Sequence, residues 1–307
     1  MEGMPPWWLW IPITIAAAVA QTLRNATQRH LSADLGTLGA TLVRFLYGLP
    51  FAALWLLSVQ QFGGYDLPGF GWTFGGWLCL GALSQIAGTA LLLRTMHEQN
   101  FTLGVAYSKS EVMQVAAFGF VFLGDPLAST TIAAVVLGTL GVMLLTPVDR
   151  QHPVRTLIGG LATRPALLGL ASGGGFALSA VGYRGAALAL DAPFLIAAAT
   201  TLLGAQLLQT IVMSTFLRLY QPGLLTRVFR AWRTSLLAGF SGAAASAGWF
   251  TAMAIEPVAH VRTLALIELL FSYLISRRIF DEQFGRLQIA GLLILIAGLV
   301  IVTLGTV

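Results

Sequence analysis

Glu111 and Glu268 each stand near the middle of a long apolar stretch. A carboxylate in that setting can bind a cation, hold an amine or carry a proton. An ionisable side chain at mid-bilayer costs about 2.5–3.5 kcal/mol on insertion scales, so it usually marks a pathway. Burial also favours the neutral carboxyl, which makes it a usable proton carrier near neutral pH. The two glutamates are 157 positions apart (268 − 111). The same offset pairs Ser84 with Ser241, Met96 with Met253, Asp125 with Glu282 and Gly141 with Gly298. The competing role is structural: Glu111 held by Lys109, Arg44 or Arg24 as an ion pair.

Around these carboxylates lie further candidates. Tyr107, Ser108, Glu111 and Gln114 recur at helical spacing and share a face, which at membrane depth should meet protein or water. Lys109 points away from Glu111 on that wheel, toward another helix or a cavity wall. Glu268 and Ser272 are spaced i, i+4, with Leu264 and Phe271 on the same side and with His260 and Arg262 at the entrance of the stretch. Arg24 and Arg44 could grip a carboxylate or phosphate bidentately, or serve as salt-bridge partners or helix-end anchors. Gln85 shares a face with Gly81, Gly88 and Thr89, as a cavity wall or a close helix contact. Trp249 could cover an organic substrate or pack against core or lipid.

The candidate substrate-binding set is therefore Arg24, Arg44, Gln85, Tyr107, Ser108, Lys109, Glu111, Gln114, Trp249, Glu268 and Ser272, with Glu111 and Glu268 as the proton-coupling pair. No metal or cofactor is expected. His30, His97, His152 and His260 have no ligand spacing, and no hydrolase or phosphate-loop motif occurs. The single cysteine, Cys79, excludes an intrachain disulfide. These absences argue against an enzyme.

The elements that must position these residues are membrane helices. The 307 residues are 57% hydrophobic and 9% charged, against about 25% charged in soluble domains. Mean hydropathy is +0.81. The net charge of +5 is mostly Arg and fits membrane topology better than nucleic-acid binding. Apolar stretches of about 20 residues can cross the hydrocarbon core as helices. Ten are expected, near 7–28, 37–59, 71–94, 102–123, 128–147, 165–189, 193–217, 233–255, 259–280 and 284–306. The fold class is an all-α polytopic membrane protein. Residues 1–147 form one five-helix repeat, 148–164 a polar connector and 165–307 a second repeat. Because five is odd, the second repeat enters the membrane from the opposite side, giving an inverted repeat with a site near the midplane.

The Trp7–Trp8–Leu9–Trp10 cluster reads as an interfacial anchor, and the first residues lack the basic side chain of a signal peptide. Gly124-Asp125-Pro126 reads as a helix end followed by an N-cap and a proline at the first helical position. Twelve of the 17 basic residues fall on one face, which by the positive-inside rule puts both termini outside the cytoplasm.

Leu42-Val-Arg44-Phe45, Leu123-Gly124-Asp125-Pro126-Leu127 and Phe280-Asp281-Glu282 resemble the Arg-Phe pattern and Leu-Gly-Glu ending of the drug/metabolite transporter superfamily, in its ten-helix EamA-type branch. The resemblance covers essentially the whole chain. It implies two inverted five-helix repeats, a central cavity, alternating access and cytoplasmic termini, the reverse of the Arg distribution. It also implies an inner (plasma) membrane location of bacterial type. Members of the family export amino acids, metabolites or toxic organic compounds, and others carry sugar derivatives or organic acids. Glu111 and Glu268 each lie 14 positions before the terminal acidic residue, where members often have Pro. The second half has no counterpart of Arg44.

The leading expectation is a secondary transporter, an exporter, of a small polar, zwitterionic or charged metabolite such as an amino acid. The expected partners are that solute, protons and the bilayer, without nucleic acid and as a monomer or homodimer. The alternatives are proton-coupled efflux of cationic drugs and flipping of a lipid or lipid-linked intermediate.

Overall fold

A computed structural model describes residues 6–98, 101–124 and 164–279, with isolated helical positions between 129 and 140 and between 289 and 297. The connector, most of the fifth and tenth expected spans with their glycines, and the acidic residues Asp125, Asp281 and Glu282 lie outside the described residues.

Every regular element among the described residues is helical. The first half contains α1 (Trp10–Leu46), α2 (Leu49–Gly63), α3 (Trp72–Glu98), α4 (Phe101–Ser108) and α5 (Glu111–Leu123). The second half contains α6 (Arg164–Leu188), α7 (Phe194–Tyr220), α8 (Pro222–Arg230), α9 (Trp232–Ile255), α10 (Val258–Leu264) and α11 (Glu268–Ile279). A 3-10 turn, Ala265–Ile267, joins α10 to α11. Among the described residues, four helical stretches are long and apolar enough to cross a membrane: Trp10–Gly63, Trp72–Glu98, Arg164–Leu188 and Phe194–Tyr220. The chain is thus an all-α protein with the character of an integral membrane protein. Leu54, Leu57, Phe120, Val121, Ile211 and Phe240 are exposed on its outer surface, as a lipid-facing shell requires and a soluble surface avoids.

The first stretch is far too long for one pass. Its 54 residues would measure about 80 Å as a straight helix, against about 30 Å of hydrocarbon. It breaks at Gly36, whose φ of 67° suits glycine. The Gln28 side-chain amide donates to Ala40 O at 2.7 Å across this break. Twelve residues of straight helix would hold these groups about 18 Å apart, so the chain reverses there.

Two seams dominate the packing: α1 on α9, and α3 on α6. Small residues make the second seam close. A Cβ on Gly175 would stand 2.9 Å from Gly88 Cα, and one on Gly182 would stand 2.6 Å from Gly81 N. Ser172 Oγ donates to Gly88 O at 2.8 Å across the same seam. Such close approach is how membrane helices gain dispersion contact where lipid offers no hydrophobic advantage.

Helix ends recur along the chain. α2 and α7 end at 63 and 220, α3 and α9 at 98 and 255, and α5 and α11 begin at 111 and 268. Each pair is 157 positions apart.

A candidate binding cavity between the helices

Six charged side chains are buried among the described residues: Arg24, Arg44, Lys109, Glu111, Arg262 and Glu268. All six line one cavity of about 20 Å³ between the helices. That volume holds about one water, so the conformation is closed around the charges. Gln21, Asn25, Gln85, Ser108, Phe176, Trp249 and Phe250 complete most of the wall.

Both carboxylates stand on interrupted helices. The expected span 102–123 is two helices, because the chain turns at Lys109 and Ser110 and restarts as α5 with Glu111 in its first turn. The 3-10 turn interrupts the equivalent stretch, and α11 restarts with Glu268 in its first turn. The start of a helix presents unpaired N–H groups and a partial positive charge, a favourable place for a carboxylate.

Glu268 is completely buried and saturated with donors. Its Oε2 accepts from Gln21 Nε2 at 2.6 Å and from Lys109 Nζ, and its Oε1 accepts from Asn25 Nδ2 at 2.8 Å. These donors are themselves held. Trp249 Nε1 donates to Gln21 Oε1 at 2.8 Å, and Arg24 Nη2 donates to Asn25 Oδ1 at 2.6 Å. Glu111 is held differently. Lys109 Nζ is 3.7 Å and Arg262 Nη1 3.6 Å from its Oε1, and that oxygen accepts no hydrogen bond. Glu111 is therefore compensated in charge by two cations, with no donor in hydrogen-bond range of Oε1 among the described residues.

The arginines are only partly paired. Arg44 Nη1 donates to Thr89 Oγ1 at 2.9 Å. The buried Nε and Nη1 of Arg24, Nε of Arg44 and Nε of Arg262 have no acceptor among the described residues. Arg262 stacks over the Trp249 ring with its guanidinium carbon 5.1 Å from the centroid, a favourable cation–π distance. The stems of Arg24 and Arg44 converge on α9 at Gly242. A Cβ there would meet Arg44 Cγ at 3.2 Å and Arg24 Cδ at 3.4 Å.

Beside the charges lies a neutral network. Gln209 Nε2 donates to Gln85 Oε1 at 2.8 Å and to the Tyr183 hydroxyl at 2.9 Å, and Tyr183 donates to Gln85 Oε1 at 3.0 Å. Gln85 is thus both wall and helix tie.

Of the residues expected from sequence, Arg24, Arg44, Gln85, Ser108, Lys109, Glu111, Trp249 and Glu268 meet in this cavity. Tyr107, Gln114 and Ser272 are not among its lining residues. Tyr107 packs on α6 beside Ala166 and Gly169. Gln114 donates to Ser110 Oγ and to Leu170 O, each at 3.3 Å, facing α6 as well. Ser272 is fully buried on α11. The polar face expected along 107–114 is divided: Ser108 and Glu111 line the cavity, while Tyr107 and Gln114 face α6. The turn at Lys109 and Ser110 brings Lys109 toward Glu111, where a regular helix would hold them apart.

Gln21, Asn25 and Arg262 were outside the expected set. Gln21, Arg24, Asn25 and Gln28 recur at i, i+3, i+4, i+7, a polar stripe that helical periodicity makes visible. Arg262 carried no such signal, since its place near a helix start read as an entrance.

No family model matches the chain, and no curated protein matches it. Solved structures do: 27 chains match. One is a crystal structure that superposes with a TM-score of 0.67 over 97% of this chain and 96% of its own, at 13% sequence identity. At that identity the likeness shows a shared fold.

Proposed function

We propose that the chain is a ten-helix secondary carrier of the drug/metabolite transporter type. It exports a small polar, charged or zwitterionic metabolite by alternating access with proton coupling. The observation that carries this reading is the gathering of all six buried charges around one cavity, with carboxylates from both halves at the starts of interrupted helices. Charge buried in a membrane protein is costly and marks pathways.

The recurring helix ends support two five-helix repeats. At offset 157 the counterpart of α1 is α6 and that of α9 is α3, so the α1–α9 seam and the α3–α6 seam are equivalent. A cavity at the meeting of two such repeats can open to either side as the repeats rock.

The two carboxylates divide the work. Glu268, saturated by three donors, organises Gln21, Asn25 and Lys109. Glu111, without a hydrogen bond on Oε1, exchanges the proton. Protonation removes its attraction for Arg262 on α10 and for Lys109 at the α4–α5 turn. That frees both cations for the substrate and loosens the contact between the two interrupted helices. The excess of cations in the cavity disfavours a cationic drug as cargo.

The test is uptake by proteoliposomes of radiolabelled amino acids, organic acids, polyamines and quaternary cations, with a pH gradient of either sign. Uptake of at least one solute, driven by the gradient and lost in Glu111→Gln, is the expected result. Absence of uptake for every class, or uptake unchanged in both Glu111→Gln and Glu268→Gln, would overturn the reading.

A further inference from the structure

Among the described residues the buried charges do not balance. Four cations, Arg24, Arg44, Lys109 and Arg262, face two carboxylates, Glu111 and Glu268. Lys109 bonds Glu268, and Arg262 lies within ion-pair reach of Glu111. This leaves Arg24 and Arg44 without a carboxylate partner among the described residues. Their protein hydrogen bonds go to neutral oxygens, Asn25 Oδ1 and Thr89 Oγ1. Buried N–H groups on both, Nε and Nη1 of Arg24 and Nε of Arg44, still lack an acceptor. Two guanidinium groups removed from water with no carboxylate in contact are unfavourable unless an anion joins them.

Resting on the carrier reading above, we propose that the substrate is an organic dianion, bound with its acidic oxygens between Arg24 and Arg44. The stems of the two arginines run side by side over Gly242, the one residue of α9 whose lack of a side chain leaves room for both. A planar guanidinium offers paired donors to carboxylate or phosphate oxygens. Phe176, Trp249 and Phe250 supply an apolar wall for a carbon skeleton, which a bare inorganic anion would not use. Two negative charges would bring the six buried side chains and their ligand to neutrality. A zwitterion would leave the positive excess in place, because Glu268 is already saturated and cannot serve its amine.

The experiment uses the whole chain, in detergent and in proteoliposomes. Thermal stability and competition are measured with succinate, glycerol 3-phosphate, butyrate, alanine, putrescine and sodium sulfate at fixed ionic strength. The expected result is stabilisation by succinate or glycerol 3-phosphate, with affinity at least about tenfold above butyrate, equivalent to about 1.4 kcal/mol for the second charge, and none by alanine or putrescine. Succinate alone would identify a dicarboxylate, and glycerol 3-phosphate alone a phosphate monoester. Arg24→Gln and Arg44→Gln, each checked as monodisperse, should abolish that stabilisation. Saturable uptake of alanine or putrescine with no response to either dianion would overturn the inference and leave the carrier reading standing. Stabilisation by sulfate equal to that by the organic dianions would also overturn it. Absence of transport for every solute would sink the carrier reading itself.

Discussion

Glu268 and Glu111 have the same residue type and the same place at offset 157, yet their surroundings differ. A carboxylate with three donors on it is fixed; one held only by charge at 3.6–3.7 Å can let go. Removing one member of a buried ion pair strands the other, at a cost of about 3–5 kcal/mol, whereas replacing both is far milder. Lys109→Met should therefore lower the unfolding temperature in detergent more than the double variant Lys109→Met/Glu268→Gln does. A larger loss in the double variant would mean that the pair is not the organising contact. At Glu111 the expectation concerns charge. Replacing it with Gln removes one negative charge beside Lys109 and Arg262, so Glu111→Gln should bind an anion more tightly than the wild type at fixed pH. Isothermal titration checks this, and unchanged or weaker binding would contradict it. Much of this constellation is legible in the sequence, because a charge in an apolar stretch stands out. The hydrogen-bond donors around Glu268 are less so: glutamine and asparagine are common, and their roles depend on which helix lies opposite.

At the level of elements, the interrupted helices matter most. Neither Pro nor Gly marks the breaks at 109–110 and 265–267, so local sequence does not announce them and a continuous span is the natural expectation. Tertiary contact explains the first. Gly173 of α6 lets the turn lie against it: a Cβ there would stand 2.5 Å from Ser110 Oγ, 2.9 Å from Ser108 O and 3.0 Å from Glu111 N. Overpacking of this kind typically costs about 1–3 kcal/mol. Gly173→Ala should push the turn away from α6, displace Lys109 and Glu111, and cut transport at least about tenfold, the effect of misplacing a site by 1.4 kcal/mol. Transport at the wild-type rate with unchanged KM would show that the turn is not critical. Ser172→Ala supplies the contrast. It removes one bond between α6 and α3, averaging about 0.6 kcal/mol in membrane helices, and should leave KM unchanged while unfolding temperature falls slightly. The long helices themselves are legible because bilayer thickness sets a length that apolar composition reveals. The reversal at Gly36 is legible only in part, since nothing local separates a glycine that turns the chain from one that packs helices.

The whole molecule combines a repeat with an asymmetry. Helix ends and the two carboxylates recur at offset 157, but the cations do not. Arg24, Arg44 and Lys109 align with Val181, Thr201 and Leu266, and Arg262 aligns with Val105. In the proposed carrier the recurring helices would give two equivalent ways to open, and the cations of the cavity would select the cargo. Alternating access requires that the same cavity residue meet water on both sides of the membrane in turn. Ser108 lines the cavity and differs from cysteine by a single atom. The most direct measurement uses Ser108→Cys in a Cys79→Ala background, labelled with a membrane-impermeant thiol reagent applied to right-side-out and to inverted vesicles. The account predicts labelling from both faces, slowed from both by a saturating transported solute. Labelling from one face alone under every pH and solute condition, or from neither, would contradict it.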